Sequence, residues 1–275
     1  MKSQIKAKKK EIKEGLKEEF SLIREKLEGP PVLLSYMVGE DPSSEVYRQS
    51  IRKKAQALGI EVIFREGSEE GILEANQDPS VHGIIVHCPR EDFLRYSSLI
   101  SPQKDVEGIA PTNLGKLMRG ERGPVPATAL SVMELLRLLN FPLEGKEAVI
   151  VGRSLIVGKP LFFLLLRENA TVTVAHSRTK PLQKFTSKAD LLVVAVGKAH
   201  LIKPSMVKEG ALVVDVGINV VDGKILGDVD PRVGEKATLT PVPGGVGAFT
   251  PYMLFRNFAL ILREKIEGKT PYSPD

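Results

Sequence analysis

Apolar residues recur at helical spacing through the first part of the chain. Ile5, Ile12, Leu16, Phe20, Ile23 and Leu27 share one face of a segment otherwise built from Lys and Glu. The spacing predicts a charged amphipathic helix over 2–29. The pattern then changes to short apolar runs, PVLLSYMVG, EVIFRE and GIIVHCP, with short helical stretches between them. Strands that alternate with helices predict parallel βαβ units. The helix after the first run carries SSEVYRQSIRKKA (43–55), with Ser43 or Ser44 in position to cap it.

The segment 101–128, SPQKDVEGIAPTNLGKLMRGERGPVPAT, has no clear period and is rich in Gly, Pro and polar residues. It reads as a functional loop region leading to a domain boundary near 119–127. An amphipathic helix, ALSVMELLRLLN, follows. A second βα series then runs through KEAVIVG, ATVTVAH, ADLLVVAVG and GALVVDVGI, at about 20 residues per unit. PVPGGVGAFT and a last helix, PYMLFRNFALILREKIEG, complete the chain, and that helix is expected to pack back on the first domain. The fold class expected is α/β with two domains. Residues 1–126 plus 247–275 form one, and 127–246 form a Rossmann-like second one.

Composition narrows the partners. The 275 residues carry a net charge of +5, which suits anionic small molecules as well as nucleic acid. Trp is absent and aromatics make up 5%, so base-stacking surface is thin. The basic residues of 43–55 are mixed with Glu45 and Gln49, and no nucleic-acid motif accompanies them. One cysteine, Cys88, excludes an intrachain disulfide and a CxxC metal cluster, so no metal is expected. The apolar runs are too short to span a bilayer, and no signal peptide is evident, so the expected compartment is the cytosol.

The strongest local signal for chemistry is VIVGRSLIVGKP (149–160), where a strand gives way to a helix. Gly152 permits a tight turn, Ser154 can donate its hydroxyl to a phosphate, and Gly158 lets the helix lie close to the sheet. The helix N-terminus attracts a pyrophosphate. The next strand ends in His176-Ser177-Arg178-Thr179-Lys180, without the acid that would bind a ribose 2′-hydroxyl. Arg153, Ser177 and Arg178 instead suit a 2′-phosphate, which favours NADP over NAD. His176 can also serve only as a strand-end cap.

With GRSLIVGKP, KDVEG, VDVGIN and PVPGGVG in one chain, the sequence resembles the bacterial FolD family of methylenetetrahydrofolate dehydrogenase/cyclohydrolases over nearly its whole length. The resemblance implies a homodimer formed through the NADP domains. It implies oxidation of 5,10-methylenetetrahydrofolate with NADP+, then hydrolysis of the methenyl product to 10-formyltetrahydrofolate. It implies NADP contacts at Gly152, Arg153, Ser154, Ser177 and Ile218. It also brings the backbone of Pro243, Gly244 and Gly245 against folate and cofactor.

The family helix carries Tyr-x-x-x-Lys, with Tyr at the pterin and Lys central to hydrolysis. Here Tyr47 matches, but Ile51 stands where the lysine is expected. Val-Gln-Leu-Pro becomes Val86-His87-Cys88-Pro89, Lys-Asp-Val-Asp-Gly becomes Lys104-Asp105-Val106-Glu107-Gly108, and Pro-Cys-Thr-Pro becomes Pro126-Ala127-Thr128-Ala129. Glu107 keeps a carboxylate for the pterin nitrogens. Two residues can replace the missing amine: Lys54, on the helix face of Tyr47 and Ile51, or His87 acting as base. The expected activity is therefore an NADP-dependent dehydrogenase with weakened or lost cyclohydrolase activity. A non-catalytic folate or NADP binder, and an NADP dehydrogenase of another small acid, are the rival readings.

Overall fold

The computed structural model describes residues 1–39, 42–89 and 91–268. The chain splits into two compact units, Lys10–Ala127 with Pro251–Asp275, and Met1–Lys9 with Thr128–Thr250. It opens with α1 (Lys2–Leu27), whose Ile5, Leu16, Phe20 and Ile23 are buried. In the first unit come β1 (Val32–Met37), α2 (Pro42–Gln56), β2 (Glu61–Glu66), α3 (Glu69–Gln77), β3 (Gly83–His87) and α4 (Phe93–Leu99). The three strands are parallel in the order β2-β1-β3, with Met37 opposite His87. Strands β1 and β3 therefore end side by side, and their carboxyl ends carry the candidate site. Leu34, Ile72, Ile84, Val86 and Ile109 form the core beneath them.

Two local expectations change. Helix α2 begins at Pro42, so Ser43 and Ser44 lie in its first turn and not at its cap. Proline favours that start because its missing N–H has no partner in a first turn. The segment 101–128 is not all loop, because α5 (Pro111–Arg119) lies within it. Pro111 opens this helix and Gly120 closes it in the left-handed conformation, at φ 77°. Its buried face carries Asn113 and Lys116 with Leu117, so two of its three buried positions are polar.

The second unit contains α6 (Ala127–Leu138), β4 (Glu147–Val151), α7 (Gly158–Arg167), β5 (Thr171–Ala175), α8 (Gln183–Thr186), β6 (Leu191–Val194) and β7 (Leu212–Asp215). An antiparallel hairpin of β8 (Asn219–Val221) and β9 (Lys224–Leu226) and a short β10 (Thr238–Leu239) complete it. The main sheet is parallel, in the order β10-β7-β6-β4-β5. Strands β6 and β7 are buried at every position, as a sheet covered on both faces requires. The chain passes from β4 outward to β5 and then back to β6 on the other side of β4. The crevice between the ends of β4 and β6 is thus the place where such sheets bind ligands.

The chain returns to the first unit in α9 (Thr250–Ile266), which packs on α1. The rings of Phe20 and Phe258 lie 5.9 Å apart, both fully buried. Each such burial contributes about 2–3 kcal/mol. Arg263 pairs with Glu19 at 3.0 Å. Among the described residues, no helix is long and apolar enough to cross a membrane.

Candidate active site

The loop after β4 is shaped by what its glycines lack. Gly152 has φ 133°, and a Cβ there would sit 3.1 Å from the Ala195 carbonyl carbon at the end of β6. A Cβ on Gly158 would sit 2.7 Å from the Gly152 carbonyl carbon and 2.9 Å from Arg153 Cα. Side chains at either position would therefore push the loop off the helix or off the neighbouring strand. The Val157 N–H donates to Ser154 Oγ at 3.2 Å, so Ser154 ties down the turn just before α7 and keeps its own hydroxyl hydrogen for another acceptor. Arg153, Ser177 and Arg178 are exposed around this loop and the end of β5. His176 does act as a turn cap: its Nδ1 accepts from the Arg178 N–H at 3.2 Å, and its own N–H donates to Thr179 Oγ1 at 3.0 Å. That bond orients Arg178. Bare glycine backbone, the Ser154 hydroxyl and the exposed cations Arg153 and Arg178 together fit a dinucleotide carrying an extra phosphate.

Ile218 is 65% exposed beyond β7, and two buried aspartates hold the chain around it. Asp228 Oδ2 accepts from the Val196 N–H at 2.7 Å and the Gly197 N–H at 3.0 Å. Its Oδ1 accepts from the Lys198 N–H at 2.8 Å and from Asn219 Nδ2 at 2.9 Å. Asp215 accepts from the N–H groups of Gly217, Asp228 and Val229, each at 3.0 Å. Burial, and then the charge of Asp228, raises the pKa of Asp215 against these bonds. A Cβ on Gly217 would sit 2.7 Å from the Asp228 nitrogen, so the two loops interlock only with glycine there. Sequence reasoning missed both aspartates. The glycines at 217 and 227, each pressed against one of them, are the signal that marks them.

In the first unit, Tyr47 on α2 and His87 at the end of β3 lie with ring centroids 6.0 Å apart, edge to face. Glu107 belongs to the same cluster. Its carboxyl pKa is pushed up to about 8, by burial first and then by Asp105. Burial, and then the Glu107 charge, raises the Tyr47 phenol, which stays protonated as a donor. Asp105 is fully buried and accepts from the N–H groups of Gly108 at 3.0 Å and Ala110 at 2.7 Å, and from Asn113 Nδ2 at 2.9 Å. Asn257 on α9 donates to the carbonyls of Val106 at 2.9 Å and Val125 at 2.8 Å. The backbone on either side of Glu107 is therefore pinned, which fixes where its carboxyl projects. Cys88 follows His87, and burial pushes its thiol up to about 11, so it is a poor nucleophile.

The position where an amine is expected is apolar and closed: Ile51 is 1% exposed. Lys54 is half-buried, and its Nζ donates back along α2 to the carbonyl of Ser50 at 3.3 Å and to Ser50 Oγ. A cation that sequence reasoning passed over also reaches the site, through Ser35. Arg48, also 1% exposed, bonds Ser35 Oγ at 3.3 Å and pairs with Glu66 at 2.8 Å and Glu45 at 3.1 Å. Its guanidinium lies 4.5 Å over the Phe64 ring. Ser35 in turn lies 2.9 Å from His87 Nε2. The signal was available: 48, 51 and 55 follow helical spacing, so Arg48 shares the buried face of Ile51 and Ala55.

Pro243, Gly244 and Gly245 lie in the second unit, so the candidate residues are divided between units. Gly244 has φ 98°, and a Cβ on Gly245 would press on the Pro241 carbonyl. Pro243 and Gly244 are exposed, leaving bare backbone open for contact.

Residues 4–107 match the catalytic domain of the tetrahydrofolate dehydrogenase/cyclohydrolase family, and residues 126–266 match its NAD(P)-binding domain. The bifunctional protein FolD of Thermus thermophilus is 47% identical over 273 residues, covering 94% of this chain and 97% of that one. The crystal structure of the Campylobacter jejuni bifunctional FolD superposes with a TM-score of 0.88 at 40% identity, covering 95% of this chain and 98% of that one. The Trypanosoma brucei FolD enzyme, solved with NADP cofactor and an inhibitor, gives 0.85 at 35% identity, covering 94% and 96%. A glycine crevice at the switch point, a tyrosine–histidine–glutamate cluster at the strand ends and matches across both halves lead to one conclusion: the chain belongs to the tetrahydrofolate dehydrogenase/cyclohydrolase family.

Proposed function

We propose that the protein oxidises 5,10-methylenetetrahydrofolate to the methenyl form with NADP+, and that its hydrolysis of the methenyl carbon is weakened or lost. The close approach of Gly158 to Gly152 is the observation that carries the dehydrogenase reading, because it seats a pyrophosphate against bare backbone at the switch point. Bound NADP+ supplies the hydride acceptor. The chain's part is to hold and orient. Gly152, Ser154 and the start of α7 bind phosphate, and Arg153, Ser177 and Arg178 bind the 2′-phosphate. Ile218 gives an apolar contact to the cofactor. Residues 10–127 with 251–268 bind the folate, with Glu107 facing the pterin nitrogens and Tyr47 and His87 lining the ring. Pro243, Gly244 and Gly245 approach the folate with backbone.

Hydrolysis needs water attack and proton transfer. An isoleucine at 51 offers neither, which supports the loss of that step. Lys54 and His87 are the proposed substitutes should any hydrolysis remain. The positive surplus of the chain suits anionic folates. A homodimer through the second unit and a cytoplasmic location complete the reading. Val220 at 74% and Ile225 at 45% exposed, on the β8–β9 hairpin, supply apolar surface for such an interface.

The test is a time course with methylenetetrahydrofolate and NADP+, with products separated after acid quench. NADPH forming together with methenyl product that decays only at the buffer rate supports the proposal. Failure of NADPH to form at saturating substrates overturns the dehydrogenase reading. Direct production of the 10-formyl compound overturns the loss of hydrolysis.

A further inference from the structure

We propose that Asp228 is a positioning residue for the nicotinamide half of the cofactor, acting through the loops that follow β6 and β7. The proposal rests on the reading of the second unit as the NADP site. In that reading Ser177 and Arg178, just past the end of β5, hold the 2′-phosphate, and the loop between β4 and α7 holds the pyrophosphate. The adenosine half therefore lies on the β5 side of β4. A dinucleotide spans the switch point, so its other half extends to the opposite side. There β6 and then β7 follow in the order of the sheet. The chain leaving these two strands is 195–198 and 216–219. Val196 is 37% exposed and Ile218 is 65% exposed, apolar side chains suited to the face of a ring.

Both loops are held by one carboxylate. Asp228 is fully buried, and its own N–H donates to Asp215 at 3.0 Å. The consecutive amides of Val196, Gly197 and Lys198 donate to the Asp228 carboxylate at 2.7, 3.0 and 2.8 Å, and Asn219 Nδ2 does so at 2.9 Å. Successive backbone N–H groups that converge on one point make an anion site, and here the anion is the protein's own side chain. A carboxylate has places for about four donors, so Asp228 matches this set. An amide in its place brings hydrogens of its own to where these N–H groups point, and at least one of them loses its acceptor. The loops have little room to adjust. A Cβ on Gly217 would sit 2.7 Å from the Asp228 nitrogen, and one on Gly152 would sit 3.1 Å from the Ala195 carbonyl carbon. The loop after β6 is thus set on one side by the cofactor turn at Gly152 and on the other by Asp228.

The experiment titrates the full chain calorimetrically with NADP+ and with 2′,5′-ADP, the half of the cofactor that carries the 2′-phosphate. Asp228→Asn should weaken NADP+ about tenfold and leave 2′,5′-ADP within about twofold. Its kcat for NADPH formation should fall too, because hydride transfer depends on how the ring is held. Asn219→Ala removes one bond to Asp228 and keeps the three from the backbone. It should weaken NADP+ about threefold, and it decides the matter if Asp228→Asn does not fold. Asp230→Asn is the control, since Asp230 bonds Arg232 at 2.8 Å and Lys203 at 3.3 Å instead of the loop amides. It should leave both affinities unchanged. Unchanged NADP+ affinity in a folded Asp228→Asn protein overturns the proposal, and so does an equal loss of both ligands. The same selective loss in Asp230→Asn overturns it as well. A wild type that binds neither ligand overturns the cofactor reading itself, which separates the two failures.

Discussion

Arg48 and Ile51 sit one turn apart on the same buried face of α2, each 1% exposed. The helix thus brings a cation inside at one position and an alkyl group at the next. Ile51→Lys restores an amine i+4 from Tyr47. We expect it to raise methenyl hydrolysis clearly above the buffer rate while leaving NADPH formation within a few-fold. Placing an ammonium in an apolar, closed position should cost about 1–3 kcal/mol of stability. Hydrolysis rates and urea midpoints of the two proteins check both parts. No gain in hydrolysis from a folded variant would show that the isoleucine is not what limits that step.

The Glu107 carboxyl, raised from its ordinary 4.5 to about 8, makes stability depend on pH in a stated direction. The folded chain binds this proton more tightly than the unfolded chain. The associated stability is complete below about pH 4.5 and is lost as pH rises through about 8. Glu107→Gln should flatten that decline, as read from denaturation midpoints between about pH 4 and pH 9. Pterin N–H groups need an acceptor, so KM for the folate should fall as the pH rises through about 8, and the variant should lose this dependence.

Gly158→Ala places a Cβ against the Gly152 carbonyl and Arg153 Cα, all of it backbone that cannot swing aside. The start of α7 must move off the loop, at about 1–3 kcal/mol. KM for NADP+ should rise by about tenfold or more, with folate binding little changed. Calorimetric titration with each ligand separates the two effects.

Arg178 is exposed, and its backbone is tied to His176 Nδ1. Arg178→Gln should weaken NADP+ by about tenfold to a hundredfold, as expected for one charge-assisted phosphate contact, and leave NAD+ nearly unchanged. The ratio of kcat/KM for the two cofactors is the measurement. An unchanged ratio would mean that Arg153 and Ser177 hold the 2′-phosphate without it.

Much of this was legible in the sequence, for physical reasons that also explain what was not. The strands β1, β3, β4, β6 and β7 are mostly apolar because parallel sheets are covered on both faces. Helix α5 was hidden because its apolar positions, Leu114, Leu117 and Met118, are few, and because its inner face carries Asn113 and Lys116 while Met118 is exposed. The β8–β9 hairpin was overlooked although Asp222 and Gly223, at φ 49° and 72°, are a turn signal of the kind that joins two strands. Tyr47, His87 and Glu107 were found from motifs, and the first unit brings them together. Arg48 was passed over because it sits in a basic run that looks solvated, and only its helical phase with Ile51 and Ala55 reveals it. Ser35 interrupts an apolar strand as a single polar residue, and its partner lies 52 residues away.

The two aspartates of the second unit have one more consequence. The amides of Val196, Gly197 and Lys198 hang from Asp228, and those of Gly217, Asp228 and Val229 hang from Asp215. Three stretches of chain far apart in sequence share two anchors, and one anchor holds the backbone of the other. Such a knot opens as a whole or not at all, so these amide hydrogens should exchange with solvent at a common rate, and the loop that carries Ile218 should be no more mobile than the strands behind it.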